Sequence, residues 1–419
     1  MPLSRKKAWV VTADMGYGHQ RATWPLRNMA LKNRVIVANA YPGMPSGDAS
    51  LWKEVRMFYE AISRFTKFPV IGDLVFSLFD SFQRIEEFYP RAKSFAEPSF
   101  QLRQTYGLMK THSWGKHLIG QLSKNPLPLI TSFAPVALMA EYWKYPGPVF
   151  LIVTDSDISR SWAPLKATRT RILYCASTER SKERLQSYGV PKRNIKVTGF
   201  PLPEESLGKS MEKALSRRVS LLDPYKKYRG KYKAHISQYL KKAPSQNTKA
   251  VTVSFAIGGA GAQDDVAHAV MESLKPLLRE GNVRLSIVLG THGELRAKFP
   301  KTKGVTVEAF STKETYFRSF PKIIEQTDIL WTKPSELVFY AALGIPLLLA
   351  PPIGSQEVQN RKWVLDVGAG MDQMDPKLCH QWLPDLIANG RLAEAAMQGF
   401  VEMEKNGTSA IKKFVATHS

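Results

Sequence analysis

The chain alternates short apolar runs with longer helical patterns, and it does so in two successive blocks. A short apolar run between helical stretches is typical of a strand that is buried on both faces of a parallel sheet. Because strand–helix–strand repeats wind into open parallel sheets, the pattern predicts an α/β protein with two Rossmann-like doubly wound domains facing a cleft. The predicted strands are 9–12, 34–38, 129–132, 149–154, 171–175 and 195–198 in the first block, and 250–255, 284–289, 305–308, 329–332 and 346–350 in the second.

Length and local composition predict how the two blocks are divided. At 419 residues the chain exceeds one average domain. We predict an N-terminal domain over 1–203, with an aromatic-rich helical insert at about 50–125, and a C-terminal domain over 249–395. A basic helical connector over 204–248 separates them. A final helix over 396–419 is a candidate to pack back on the N-terminal domain.

The chain is strongly basic. Its 59 Lys and Arg residues outnumber 36 Asp and Glu, and the net charge is +23. Such a charge attracts nucleic acid, anionic membrane or phosphorylated substrates. Residues 206–248 hold eleven Lys and Arg against two acidic residues. This segment is either a solvated connector or an electrostatic contact with anionic lipid or nucleic acid.

A second unusual segment, residues 52–95, has eleven aromatic residues in 44 positions. The spacing of its apolar residues predicts an amphipathic helix over 75–89. That helix either packs on its own domain or forms an apolar surface for a lipid-like acceptor.

The sequence predicts a cytoplasmic protein. Two cysteines make no disulfide framework, and the N-terminal apolar run is too short for a signal peptide. No stretch reaches the roughly 18 apolar residues of a membrane span. Any membrane contact is therefore expected to be peripheral, on the inner face.

The first predicted strand ends in the turn Asp14-Met-Gly16-Tyr-Gly18-His19, and a helical pattern follows. A strand, a glycine turn and a helix start form an anion site, because backbone N–H groups and the helix dipole converge there. His19 adds a titratable imidazole at this site. We predict an anionic ligand and a base here; the alternative is a histidine that only hydrogen-bonds the loop.

The second block opens with its own glycine loop, which contains Gly258, Gly259 and Gly261. The Gly-Lys-Ser/Thr of a Walker A loop does not follow it, and the spacing does not fit the dinucleotide fingerprint. Neither ATP nor a redox cofactor is favoured.

Two further polar loops follow predicted strands of the second block. The turn after strand 329–332 leads into a helix expected to start near Ser335, whose first N–H groups could hold a diphosphate. The loop after strand 346–350 carries amide and carboxylate side chains, which can bind several sugar hydroxyls at once. Glu336 has a structural alternative as a helix-start residue. The candidate residues are Thr332, Lys333, Ser335, Glu336, Gln356, Glu357 and Asn360.

Asp155 and Asp157 have the spacing of a metal-binding Asp-x-Asp pair and follow a predicted strand. We expect no metal, since helix dipoles can stabilise a diphosphate, and we expect Asp155 to bind substrate or brace the site. A metal at the pair is the alternative.

Together, several short segments of the chain resemble the GT-B glycosyltransferases, in the branch of the monogalactosyldiacylglycerol synthases and the peptidoglycan-precursor N-acetylglucosaminyltransferase. The resembling residues are Asp14 to His19, Val153-Thr154-Asp155, Trp162, Cys175 to Glu179, Val197 to Pro201, Thr332-Lys333, Gly344-x-Pro346 and Gln356-Glu357-x-x-Asn360.

The resemblance implies transfer of a sugar from a nucleotide diphosphate sugar, with UDP expected, to an acceptor hydroxyl, for which a lipid is a candidate. His19 would be the catalytic base, with Asp155 beside it and Gly16 and Gly18 in the acceptor-side loop. The nucleotide sugar is a co-substrate, and no other cofactor is implied. An anionic membrane surface is a candidate partner and nucleic acid is not expected. For the donor, the resemblance implies Phe310 near the uracil, the glycine loop and the turn at Ser335 near the phosphates, and Gln356 and Glu357 at the sugar.

The chain departs from the family at two positions. The family's ribose-binding glutamate lies five residues before the glycine of Gly-x-Pro, where this chain has Phe339; Glu336 is a candidate replacement. The histidine expected between Asp155 and Trp162 is missing. Two alternatives therefore remain: a nucleotide-sugar epimerase or hydrolase of the same fold, and a non-catalytic membrane- or RNA-binding protein on a degraded transferase scaffold.

Overall fold

The computed structural model describes residues 7–65, 85–90, 93–240, 250–257 and 263–418, and the chain divides into two α/β units. The first unit contains Met1–Leu202, Ile353–Gln359 and Glu404–Ser419, and the second contains Pro203–Pro352 and Asn360–Met403. Residues 204–248, interpreted from the sequence as a connector, are thus counted in the second unit, and the last sixteen residues in the first.

The first unit is built on a six-stranded parallel sheet with the order β2-β1-β3-β4-β5-β6. Leu129 pairs with Trp9 on one side and with Val149 on the other, which sets the register of the sheet centre. The central strands are buried on both faces, as their continuous apolar runs predict. The strands are β1 Trp9–Thr12, β2 Ile36–Val37, β3 Leu129–Thr131, β4 Val149–Ile152, β5 Leu173–Ala176 and β6 Ile195–Val197.

The second unit has a parallel sheet of the same size with the order β12-β11-β10-β7-β8-β9. All eleven predicted strands are confirmed, and the sequence missed only β12 among the described strands. This edge strand begins with Gly370 and ends with an acidic residue, so no apolar run marks it. The strands are β7 Val251–Ala256, β8 Val283–Gly290, β9 Val305–Ala309, β10 Ile329–Thr332, β11 Leu347–Leu349 and β12 Gly370–Asp372.

Helices connect the strands of both sheets, as parallel pairing requires. In the first unit they are Tyr17–Thr23, Ser46–Phe65, Phe100–His112, Lys116–Ser123, Ala134–Tyr142, Glu179–Ser187 and Gly407–Thr417. In the second unit they are Lys209–Leu221, Lys227–Lys231, Lys233–Tyr239, Asp264–Ser273, Lys275–Glu280, Lys313–Gln326, Leu337–Ala342, Cys379–Ala388 and Arg391–Glu402. The helix Ser355–Val367 begins in the first unit and ends in the second.

The amphipathic helix predicted over residues 75–89 lies mostly outside the described residues. Its described end, residues 85–90, is not helical, so the prediction is wrong there. Phe88 is buried, and its ring lies 4.4 Å from the guanidinium of Arg180 and 5.0 Å from that of Arg184. Cation–π contacts hold this segment on the first unit, an interaction that helical periodicity does not reveal.

Among the described helices, none combines the length and the hydrophobicity that a membrane span requires.

Arg218, in the segment interpreted as a solvated connector, is instead a core residue of the second unit. Its guanidinium is buried and donates hydrogen bonds of 2.8 Å to the carbonyls of Ile324, Thr327 and Leu343. These carbonyls lie at or just beyond the C-terminal ends of the helices Lys313–Gln326 and Leu337–Ala342, where intrahelical donors run out. One arginine therefore caps two helix ends.

We predict that Arg218→Met destabilises the protein strongly, because the buried carbonyls of Thr327 and Leu343 lose their donor and the Ile324 carbonyl keeps only the Thr327 N–H at 3.2 Å. The expected loss in the free energy of unfolding is at least about 3 kcal/mol. Urea denaturation measures it, and Lys213→Met on the exposed face of the same helix is the matched control. Equal stability of the two variants would contradict the capping role.

Candidate active site

The polar residues of the first unit that follow its central strands lie along one edge of the sheet. The turn with His19 follows β1, Ser132 follows β3, Asp155 follows β4 and Ser177 follows β5. These strands are adjacent and parallel, so their carboxyl ends lie side by side. That edge is where open α/β sheets bind ligands.

The glycine turn is braced by hydrogen bonds at its start. Asn39 Oδ1 accepts from the backbone N–H of Asp14 at 2.8 Å, and Asn39 Nδ2 donates to the Asp14 carbonyl at 3.3 Å. Gln20 Nε2 donates to Asp14 Oδ1 at 3.0 Å. Gly16 has φ 113° and ψ 169°, a backbone conformation that is essentially restricted to glycine. The chain therefore reaches His19 through a fixed turn.

His19 and Ser132 hold each other through two short hydrogen bonds. The Nδ1 atom of His19 lies 2.7 Å from the Ser132 carbonyl oxygen, and Ser132 Oγ donates to the His19 carbonyl at 2.7 Å. Since a carbonyl oxygen only accepts, the proton of the neutral ring is on Nδ1 and its lone pair is on Nε2. The contact thus selects the tautomer in which Nε2 is basic.

Two aromatic rings restrict the orientation of the His19 ring. Phe133 meets it edge to face, with ring centroids 5.1 Å apart, and the Trp162 centroid lies at 6.4 Å. Phe133 and Trp162 both belong to the first unit, and Trp162 is buried. The imidazole is therefore preorganised rather than a mobile surface side chain.

Asp155 and Asp157 have different roles despite their spacing. Asp155 is half-buried, and its Oδ2 accepts from Thr154 Oγ1 at 3.0 Å. Asp157 is buried and forms two 2.8 Å hydrogen bonds with the Arg184 guanidinium. A carboxylate committed to a buried arginine does not suit a metal pair, and no group of three potential metal-ligating residues occurs in the described parts of the chain.

The two cysteines do not form a reactive centre. Both thiols are free and buried. Burial raises the pKa of Cys175 to about 12, and it raises the pKa of Cys379 as well. A thiol with so high a pKa keeps its proton at neutral pH and is a poor nucleophile.

In the second unit, the predicted donor residues after β9 and β10 lie on the carboxyl edge of the sheet. Phe310 directly follows β9; its N–H donates to the Gly290 carbonyl at 2.9 Å, and its ring packs 5.4 Å from Tyr316. Thr332 ends β10, and its Oγ1 donates to the Ala256 carbonyl at 3.4 Å. The carboxyl ends of β7 and β10 are thereby joined.

The turn after β10 is tight. The Ser335 N–H donates to the Lys333 carbonyl at 2.6 Å, and the following helix begins at Leu337 rather than near Ser335. Glu336 precedes it with φ 56°, the left-handed conformation. Asn360 is buried and donates to the Pro334 carbonyl at 3.2 Å, which pins the turn from the side.

Phe339, the residue at the family's glutamate position, is part of the core. It is buried and packs against Phe320 and Tyr340, with centroids 6.0 and 5.2 Å away. Glu336 lies three residues earlier, is half-buried and has the Tyr340 hydroxyl 3.5 Å from its Oε2. Of the two positions, Glu336 is the one with a carboxylate near the sheet edge.

The remaining candidates fall elsewhere. Gly258, Gly259 and Gly261 lie outside the described residues. Gln356 and Glu357 belong to the segment Ile353–Gln359 of the first unit, where Glu357 Oε2 accepts from the Ile353 N–H at 2.7 Å.

Three residues at these edges were missed from the sequence. Ser132 and Asn39 organise the His19 turn, and Gln263 Nε2 donates to the Pro351 carbonyl at 3.0 Å in the second unit. Ser132 carries the signal used for the other candidates, a polar residue at the end of a buried strand. Asn39 and Gln263 have partners that no local pattern reveals.

We predict that Gly16→Ala destabilises the protein by about 1–3 kcal/mol, because alanine is strained at the Gly16 backbone angles. Gly120→Ala is the matched control. A Cβ finds open space at both glycines, but Gly120 lies within a helix, where alanine gains about 1 kcal/mol. Thermal unfolding should separate the two variants in opposite directions. A stable Gly16→Ala protein would contradict the strain argument.

Comparison with known proteins identifies the chain's relatives. No profile of a known protein family matches it. The processive diacylglycerol beta-glucosyltransferase of Bacillus pumilus (strain SAFR-032) is 23% identical over 376 residues, which cover 88% of this chain and 83% of that enzyme.

Solved structures show the same fold at low sequence identity. The glycosyltransferase of kitacinnamycin aligns over 99% of this chain and 98% of its own, with a TM-score of 0.52 and 12% identity. The UDP co-structure of S. aureus MnaA aligns over 98% and 95%, with a TM-score of 0.51 and 11% identity. The chain is similar to the Bacillus pumilus enzyme along most of its length, and each of its two units contains a parallel six-stranded sheet. It is therefore a glycosyltransferase of the GT-B fold, resembling the monogalactosyldiacylglycerol synthase branch.

Proposed function

We propose that this glycosyltransferase transfers a hexosyl group from a UDP-sugar to a hydroxyl group of a lipid acceptor, as a peripheral protein on the cytoplasmic face of a membrane. The lipid acceptor is supported by the diacylglycerol specificity in the name of the Bacillus pumilus relative. UDP is supported by the MnaA co-structure, which shares the fold.

The observation that carries this proposal is the contact between His19 and Ser132. With its proton held on Nδ1 by the Ser132 carbonyl, the neutral ring can accept a proton at Nε2. As the acceptor oxygen attacks the anomeric carbon, its hydroxyl proton passes to Nε2. The bond from the sugar to the phosphate oxygen breaks, and UDP leaves with the electron pair.

Asp155 is proposed to act beside this base on the same sheet edge. Its Oδ2 is oriented by Thr154, and its carbonyl accepts from Ser177 Oγ at 2.5 Å. A half-buried, oriented carboxylate can accept a hydrogen bond from a substrate hydroxyl or stabilise the imidazolium that forms on His19.

The donor is proposed to bind at the carboxyl edge of the second sheet. Phe310 would face the uracil, Glu336 would accept from the ribose hydroxyls, and the Lys333–Ser335 turn would face the diphosphate with the glycine loop 258–261. Asn360 keeps the turn in place. Gln356 and Glu357 remain the proposed contacts for the sugar.

We propose that the reaction needs no metal. The Lys333 ammonium and the peptide dipoles of the turn supply positive charge for the departing diphosphate. The pairing of Asp157 with Arg184 removes one member of the Asp-x-Asp alternative.

We predict that His19→Gln lowers kcat by about 100-fold or more, because the base is lost. The glutamine amide can still donate to the Ser132 carbonyl, so the melting temperature should change little. Turnover is measured as UDP release with a diacylglycerol acceptor. The control is His112→Gln, an exposed histidine of the same unit. Turnover of a folded His19→Gln protein at the wild-type rate would exclude His19 as the base.

The same assay separates transfer from epimerisation or hydrolysis. A transferase releases UDP and forms glycolipid only when the acceptor is present. Conversion of the nucleotide sugar without acceptor would instead favour the epimerase or hydrolase alternative.

We predict that the Glu336 carboxylate accepts a hydrogen bond from the ribose hydroxyls of UDP. Wild-type protein should bind UDP more tightly than 2′-deoxy-UDP, by about tenfold, because an unmade hydrogen bond to a carboxylate costs 1–3 kcal/mol. Glu336→Gln should reduce this preference, while Glu314→Gln, an exposed carboxylate on the same unit, should keep it. Isothermal calorimetry measures both ligands. An unchanged preference in Glu336→Gln would assign the ribose to another residue.

A further inference from the structure

The second unit presents a surface that combines exposed lysines with exposed tyrosines. It is formed by the turn and two short helices within residues 224–239. We call it the basic face and define it by Tyr225, Lys226, Lys227, Lys231, Tyr232 and Lys233, all of which are exposed. The sequence marked this segment as a charge run, and the transfer reaction leaves it without a role.

Internal pairing separates these lysines from the neighbouring arginines. Arg217 pairs with Asp328 at 2.9 Å, Arg218 caps helix ends, and Arg229 pairs with the buried Asp223 at 3.3 Å. The only acidic residue between positions 213 and 240 is thus buried and paired. The arginines make these internal contacts, whereas the four lysines are exposed, and among them Lys227 Nζ donates to the neutral amide oxygen Oδ1 of Asn389 at 2.9 Å.

The tyrosines on this surface point to the kind of partner. The Tyr225 side chain is 72% exposed, and Tyr232 is 38% exposed with the Lys231 ammonium 5.3 Å from its ring. Tyrosine is enriched where apolar and aqueous phases meet, because its ring is apolar and its hydroxyl is polar. Lysines bury their methylene stems at the same boundary and keep their ammonium groups near phosphates.

We propose that the basic face binds the phosphate headgroups of an anionic lipid bilayer. The lysines supply charge complementarity to an anionic surface, and the two tyrosines enter the headgroup layer. A bilayer is favoured over RNA because the proposed acceptor is a lipid, and in that respect the inference rests on the proposed function. The surface belongs to the second unit, whereas His19 belongs to the first.

The decisive experiment is vesicle co-sedimentation of the full chain without donor sugar. Vesicles of phosphatidylcholine with 30% phosphatidylglycerol, about a third anionic lipid, are compared with pure phosphatidylcholine. Wild-type protein should prefer the anionic vesicles and lose that preference steeply with added salt. Replacing Lys226, Lys227, Lys231 and Lys233 with serine should weaken anionic-vesicle binding by about 100-fold or more, since each lysine near the surface contributes appreciably.

The control carries the same loss of charge elsewhere on the second unit. It replaces four exposed lysines with serine: Lys301, Lys303, Lys322 and Lys377. The net charge of the two variants is identical, so only the position of the lysines differs. A Tyr225→Ser variant should weaken binding with little change in its salt dependence, because it removes ring insertion but no charge.

Three results would overturn the proposal: equal wild-type binding to both kinds of vesicle, equal loss in the two four-lysine variants, or tighter binding to single-stranded RNA that depends on the same four lysines. Failure of the proposed function is recognised separately. Turnover with a short-chain acceptor in detergent should be unchanged in the basic-face variant, and absence of that turnover in wild-type protein would contradict the transfer reaction rather than the surface.

Discussion

Parallel strand pairing is the constraint on which the rest of this structure depends. Each strand can hydrogen-bond a parallel neighbour only if the chain first crosses back to the same end of the sheet. The residues that follow β1, β3 and β4 therefore emerge together, and the ends of β7 and β10 lie together at Ala256 and Thr332. Both groups of candidate site residues result from this one rule, applied twice in one chain.

The same constraint determines how the candidate base is held. His19 and Ser132 are 113 positions apart, yet adjacent strands bring the imidazole to the serine carbonyl at 2.7 Å. The hydrogen bond selects the tautomer, and the neighbouring aromatic rings restrict the ring's orientation. A backbone carbonyl in this role is insensitive to pH, because it has no protonation state to lose. The geometry is therefore fixed independently of any titrating partner.

The basic residues fall into two groups, buried arginines and exposed lysines, which interact with their surroundings differently. Buried guanidinium groups such as Arg184 and Arg218 satisfy a carboxylate or several carbonyls, so they are integral to the core. Arginine suits this because its planar group donates in several directions at once. The lysines of residues 226–233 stay in solvent, where a compact and strongly hydrated ammonium is favoured. Net charge alone does not distinguish the two.

The local sequence pattern determined the strands, because a buried parallel strand needs an apolar run. It also determined the Gly16–His19 turn, because the φ of 113° at Gly16 requires glycine. It missed β12, whose three residues carry no such run. Contacts between distant residues were decided only by the tertiary structure: Asp157 pairs with Arg184, Phe339 enters the core beside Phe320, and Ser132 orients His19. Sequence spacing is informative where the partner lies within one turn or strand. Where the partner belongs to another element, the order of strands in the sheet decides which side chains meet.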